Sequence, residues 1–335
     1  MIEGILWAVF AGITLGLYAL PEKFTKEFEF ENTWGLMFAI NMFLVPLVAG
    51  LLLINGFWEV LAAMPMDIVL KMGIASVLWG IGVMMWGRAI NYIGLSLGFS
   101  IFIGTVILVG SMLPFIVDGL PSSDILTTIL VGIGIVLLGI FANGQAGMLR
   151  QRDEGNSPQG KGSMVTGIII AVTGGLLATG FSYANAVGRP TIHAASVAAG
   201  NPEWVTAVGV MFVIYVAGGL FVVPYFIVNL TTKKLWGNFR TPFMANNLLM
   251  TGSMAILNFT ASASFAYAAY LLGQAGNTVG YAIFNTISVA VAIVSGLLTK
   301  EWANASSKAR LALFAGLGCM IIGVLIIAFG NNLAA

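Results

Sequence analysis

The sequence predicts an all-α integral membrane protein of ten transmembrane helices, built as two inverted five-helix repeats. Three observations carry this. Charged residues make up 8% of the 335 positions and hydrophobic residues 59%, where a soluble domain carries about 25% charged residues. Charge-free stretches of bilayer-crossing length, ~20 residues, succeed one another along the chain. Most Lys and Arg gather in every second connection, as spans of alternating direction require.

The first span, 4–21, follows Glu3 with no basic segment ahead of it, so it is expected to be retained rather than cleaved as a signal peptide. Spans 33–55, 68–90, 94–117 and 125–145 complete the first half. Continuous apolar runs such as "IFIGTVILVGSML" (101–113) lack the period-two alternation of a membrane β-barrel. A polar stretch, "GMLRQRDEGNSPQGKGS" (147–163), then separates a first repeat, 1–146, from a second, 164–335. The second half reads as spans 164–186, 204–230, 243–271, 277–299 and 310–330, with the long interval 241–299 broken at "LGQAGN" (272–277). The connection 187–204 is expected outside the spans, with a short surface helix from Thr191.

Ten spans put both termini on one side. Of the 14 Lys and Arg residues, only Lys71 and Arg189 fall on that side. Basic residues favour the cytoplasm, so the termini are expected outside and the 147–163 linker inside. Arg88 then sits at a cytoplasmic helix end, where its head group can snorkel to the lipid phosphates.

Five helices per half is an odd number, so the second half enters the bilayer inverted, a recurrent plan of secondary transporters. "RAINYIGLSLG" (88–98) and "YAAYLLGQAGN" (267–277) share an order of aromatic, Leu/Ile-Gly and small residues at equivalent hairpins. In order along the chain, "WGIG" (79–82), "YIGLSLG" (92–98), "GTVILVGSMLP" (104–114), "GRP" (188–190) and "GLLTKEW" (296–302) resemble the L-rhamnose–proton symporter family of the drug/metabolite transporter superfamily. The resemblance implies ten helices with the drug/metabolite transporter fold and uptake of a neutral deoxyhexose through a bacterial inner membrane by alternating access. An exporter of another small solute within the superfamily is the competing reading.

No enzyme is expected. "GLSLG" (94–98) matches a nucleophile-elbow pattern, but it opens a membrane helix and the chain has one histidine. Paired carboxylates, metal-ligand spacing and a phosphate loop are absent from the sequence, so neither cofactor nor metal is expected. The net charge of +1 gives nucleic acid nothing to bind. Gly12 and Gly16 read as helix-packing residues, Cys319 as a small packing residue, and the sixteen methionines as apolar filler. His193 is placed in the external 187–204 connection, where it reads as solvated, with a gating or proton role as the alternative.

Neutral polar groups within spans are the candidates for binding a sugar. An unpaired amide in hydrocarbon costs several kcal/mol, so such groups face other helices or water. Trp79, Asn258 and Asn285 fall near mid-span and are expected to line one cavity; Asn41, Thr105 and Tyr281 are further candidates. Tyr18, Tyr215 and Tyr267 add phenols at other depths. Helix–helix hydrogen bonding is the competing use of each Asn. The coupling ion is expected to be H⁺, as the resemblance implies, or Na⁺. All thirteen acidic residues lie at span ends or in loops, with Glu3, Glu22 and Asp118 the nearest candidates to carry a proton.

Overall fold

The computed structural model describes residues 2–93, 98, 101–109, 122–153, 163–276, 279–300 and 302–332, and its regular elements there are all helical. Nine helical stretches among the described residues are long and apolar enough to cross a membrane. They are Ile2–Phe24, Phe30–Leu53, Met66–Ala89, Ser123–Asp153, Met164–Ala198, Val205–Thr232, Met244–Leu271, Val279–Leu298 and Ser307–Gly330. The span expected at 94–117 lies largely outside the described residues, with helix at 101–109.

We number the helices α1 (Ile2–Leu17), α2 (Phe30–Ala39), α3 (Val45–Leu53), α4 (Phe57–Ala62), α5 (Met66–Ile93), α6 (101–109), α7 (Ser123–Asp153), α8 (Met164–Ala178), α9 (Gly180–Ala198), α10 (Val205–Thr232), α11 (Met244–Leu271), α12 (Val279–Leu298) and α13 (Ser307–Asn332). Three local departures from the sequence reading have physical causes. The second span is not one regular helix: a π turn, Ile40–Leu44, joins α2 to α3, and the Val45 amide reaches the Ile40 carbonyl. Pro46, the second residue of α3, cannot donate to the Met42 carbonyl, and the wider turn absorbs the misfit. The fifth helix runs to Asp153 rather than 145. Its last turn carries Arg150 and Arg152, favourable at the negative end of the helix dipole, and the Asp153 carboxylate accepts the Ser306 amide at 2.8 Å. The 187–204 connection is also corrected. After a turn at Thr179, α9 stays helical through Pro190 to Ala198, so Arg189 and His193 lie on a helix, not in a loop.

The chain forms two compact units, each drawn from both halves of the sequence. One comprises Met1–Gly12, Gly82–Thr179 and Ala268–Ala335; the other comprises Ile13–Ile81 and Gly180–Tyr267. In the first unit α7 and α13 approach at paired glycines. A Cβ on Gly139 would lie 2.5 Å from the Gly316 carbonyl oxygen, and one on Gly323 would lie 2.7 Å from that of Gly132. Backbones this close need small residues in lipid, where helix association depends on packing. Gly139→Leu is expected to destabilise the protein by about 1–3 kcal/mol, read as a lower melting temperature in detergent. Gly134→Leu, where a Cβ meets nothing within 4 Å, is the comparison. Equal melting points for the two variants would refute the close-packing account.

In the second unit α10 is the most buried element, with Met211, Ile214 and Tyr215 almost fully enclosed. Asparagines tie the halves of this unit together through backbone. Asn201 accepts from the Asn55 amide at 2.8 Å and donates to its carbonyl at 2.9 Å. Asn247 does the same to Lys26, at 2.9 and 2.8 Å. Each amide side chain thereby completes a connection that has no helical partner of its own.

Candidate functional site

Within the second unit, three of the residues expected to bind substrate come together. The π turn carries Asn41, which is 1% exposed, and its Nδ2 donates to Asn258 Oδ1 on α11 at 2.9 Å. The Tyr215 hydroxyl, from α10, reaches the same Asn258 oxygen at 2.9 Å and Ser262 Oγ at 2.6 Å. A phenol has one proton. If Tyr215 spends it on Asn258, Ser262 must donate to Tyr215, and the chain of bonds runs Ser262, Tyr215, Asn258. Asn258 Oδ1 then accepts twice and is saturated, which fixes the orientation of its amide.

That orientation leaves the nitrogen. Among the described residues Asn258 Nδ2 meets no protein acceptor, and it is not sealed from its surroundings. The indole nitrogen of Trp79 is in the same condition. Trp79, on α5, packs against Tyr215 with ring centres 5.4 Å apart and against Phe181 of α9 at 5.6 Å. Tyr215 also holds Phe259 edge-on at 5.4 Å. Gly218 makes room for the indole, since a Cβ there would stand 2.9 Å from its six-membered ring. Asn41 Oδ1 is buried without a hydrogen-bond partner. The arrangement offers uncharged donors beside an aromatic surface, suited to a neutral polyhydroxylated molecule: hydroxyls to the amide and indole N–H, an apolar ring face to the indole.

Asn285, Tyr281 and Thr105 belong to the other unit, and polar groups there turn onto their own helices. Asn285 Nδ2 donates to the Tyr281 carbonyl at 2.8 Å, and Thr105 Oγ1 to the Ile101 carbonyl at 2.8 Å. Thr286, beside Asn285, keeps a buried hydroxyl without a partner. Of the acidic candidates, Glu3 is exposed. Glu22 sits in the one-turn helix Leu20–Phe24, half-buried, and accepts the Trp34 indole N–H at 2.7 Å. Asp118 lies outside the described residues. Ser262, Phe181 and Gly218 escaped the sequence reading. Ser262 was within reach of it, one helical turn after Asn258 on the same face. Phe181 and Gly218 touch Trp79 only through tertiary packing and leave no local signal.

Comparison with known proteins agrees in one direction. An L-rhamnose-proton symporter of Yersinia pestis (strain Pestoides F) is 25% identical over 334 residues, covering 96% of this chain and 95% of the relative. A protein of the same name from Yersinia pestis bv. Antiqua (strain Antiqua) is 26% identical over 337 residues, with the same coverage of both chains. The family model described as L-rhamnose-proton symport protein matches residues 1–335, and over that full length the chain belongs to this family.

Proposed function

We propose that this protein imports L-rhamnose, or a closely similar deoxyhexose, together with a proton across a bacterial inner membrane, by alternating access. The observation that carries the sugar assignment is the Trp79–Tyr215–Asn258–Asn41 group. It has no charge, two N–H donors that meet no protein acceptor among the described residues, and an aromatic face. Family membership favours transport over catalysis and H⁺ over Na⁺ as coupling ion. Asn285, Tyr281 and Thr105 are proposed as further sugar-binding residues.

The proposal includes ten helices in two inverted repeats, 1–146 and 164–335, joined by a cytoplasmic linker at 147–163, with both termini outside. The division into compact units supports the repeat. It falls after Gly12, Ile81, Thr179 and Tyr267, inside the first, third, sixth and eighth spans of the ten-span scheme. An inverted five-helix repeat pairs the first span with the sixth and the third with the eighth, so the cuts match pairwise.

Purified protein in liposomes is expected to accumulate labelled L-rhamnose under an inward proton gradient, and L-rhamnose is expected to raise its melting temperature. Accumulation that follows a Na⁺ gradient and ignores a pH gradient would replace the proton with sodium. No protection by any neutral sugar would sink the sugar assignment. For topology, a cysteine at position 156 in a Cys319-free variant should resist an impermeant reagent added to intact cells. Labelling from outside would invert the orientation.

A further inference from the structure

We propose that His193 carries the coupled proton, at the outer end of a polar stripe that descends α9 to the sugar site; this rests on the symport reading above. Helical periodicity puts Ser182, Asn185, Arg189, His193 and Ser196 within about 80° of arc on one face of α9. The stripe lies inside the candidate span Met164–Ala198, where polar side chains in series mark ion and proton routes. Asn185 is 3% and Ser196 1% exposed. Asn185 Oδ1 and Ser196 Oγ are both buried without hydrogen-bond partners. Unpartnered acceptors buried along a membrane helix are costly, and a proton relay through intervening water gives them a use.

The inner end of the stripe is fixed by contact. Ser182 follows Phe181, whose ring packs on Trp79, and a Cβ on Gly180 would strike the Ala75 carbonyl on α5. His193 lies eleven residues further along, about 16 Å along the helix axis. Its Nδ1 is 3.1 Å from Thr206 Oγ1 on α10, and Thr206 is fully buried. The hydroxyl accepts from a protonated Nδ1 or donates to a neutral one, so the pair stays bonded in both states of the ring. Imidazole is the one side chain whose ordinary titration falls between pH 5 and 8, and this is the chain's only histidine.

Arg189 stands one turn nearer the sugar site, its guanidinium donating to the Ala266 carbonyl of α11. A fixed cation there repels a proton advancing past His193. The cation bars onward leakage, so a proton held at His193 moves inward only when the protein changes conformation. Other charged groups near α9 within this unit are Glu59 on α4, which is exposed, the exposed Asp67–Lys71 pair on α5, and the exposed Glu203 in the turn before α10, whose carbonyl accepts the Thr206 amide. On α10 and α11 there is none. The bound proton comes from the outer solution and leaves to the inner one, with no other co-reactant.

The test compares proton-driven accumulation with sugar counterflow, which needs the binding site but no net proton movement. His193→Gln should lower accumulation under an inward proton gradient at least ~10-fold while leaving counterflow within about twofold. His193→Asp, titratable again, should recover accumulation with its optimum moved to lower pH. Diethylpyrocarbonate on the unmutated, tag-free protein provides a second arm that does not depend on a variant folding. It should abolish accumulation, spare counterflow and be reversed by hydroxylamine. Full accumulation in His193→Gln, or after complete modification of the sole histidine, overturns the inference alone. So does a selective loss in Glu3→Gln, Glu22→Gln or Asp118→Asn that His193→Gln does not show. Absence of accumulation by the unmodified protein overturns the symport reading and the inference with it.

Discussion

Asn258→Ala is expected to weaken L-rhamnose binding by one to two orders of magnitude. The substitution deletes an amide whose nitrogen meets no protein acceptor among the described residues, so that it is free for the proposed substrate, and whose oxygen holds both Asn41 and Tyr215. A substrate hydroxyl left without its partner in a desolvated site costs about 1–3 kcal/mol, and every 1.4 kcal/mol is about tenfold in affinity. Asn41, already unpartnered at Oδ1, loses its remaining side-chain bond, so some fall in melting temperature should accompany the loss of affinity. Tyr215→Phe separates the two effects. It removes a hydroxyl that touches only protein and keeps the ring against Trp79, so it should cost stability more than affinity. Titration calorimetry on detergent-purified protein reads both variants. A dissociation constant within twofold of the unmutated protein for Asn258→Ala would remove this residue from the site.

Trp79→Ala should reduce affinity by a comparable amount, roughly 60-fold. A sugar face covering ~60 Å² of indole is worth about 1.5 kcal/mol at 25 cal/mol per Å², and the lost indole N–H bond adds about 1 kcal/mol. The same loss can be reached without touching Trp79. Gly218→Val places a side chain where a Cβ alone already meets the indole at 2.9 Å and must displace it from between Tyr215 and Phe181. Both variants should lose intrinsic-fluorescence or calorimetric signals of sugar binding, while Gly237→Val, where a Cβ meets nothing, should not. Sugar binding undiminished in Gly218→Val would mean that the indole position does not set affinity.

Much of the architecture is legible in the chain because lipid imposes a simple rule. A segment crossing hydrocarbon must satisfy its backbone internally, so spanning helices appear as apolar runs of the necessary length. Nine of the expected spans recur among the described residues for that reason. Polar residues do not everywhere mark a loop. "GRPTIH" holds an arginine, a proline and a histidine, yet α9 continues through it, because α5, α10 and α11 supply partners that hydropathy does not count. The extension of α7 past 145 has the same origin, with Asp153 bonded to the Ser306 amide and Arg150 lying over the Trp302 ring at 5.1 Å.

The sequence by itself determined that this chain is a many-helix membrane protein, and it resembled the right transporter family. It also singled out the uncharged amides and the tryptophan as groups that hydrocarbon would not tolerate unpaired. Which of them meet was decided only by tertiary structure. Asn41, Trp79, Tyr215 and Asn258 stand on elements separated by tens to hundreds of residues, and their convergence depends on the π turn before Pro46 and the close approach at Gly218. The close approach at Gly218 depends in turn on side-chain volumes at facing positions. Hydropathy and periodicity report how each helix meets the lipid, and carry no record of which helix stands opposite.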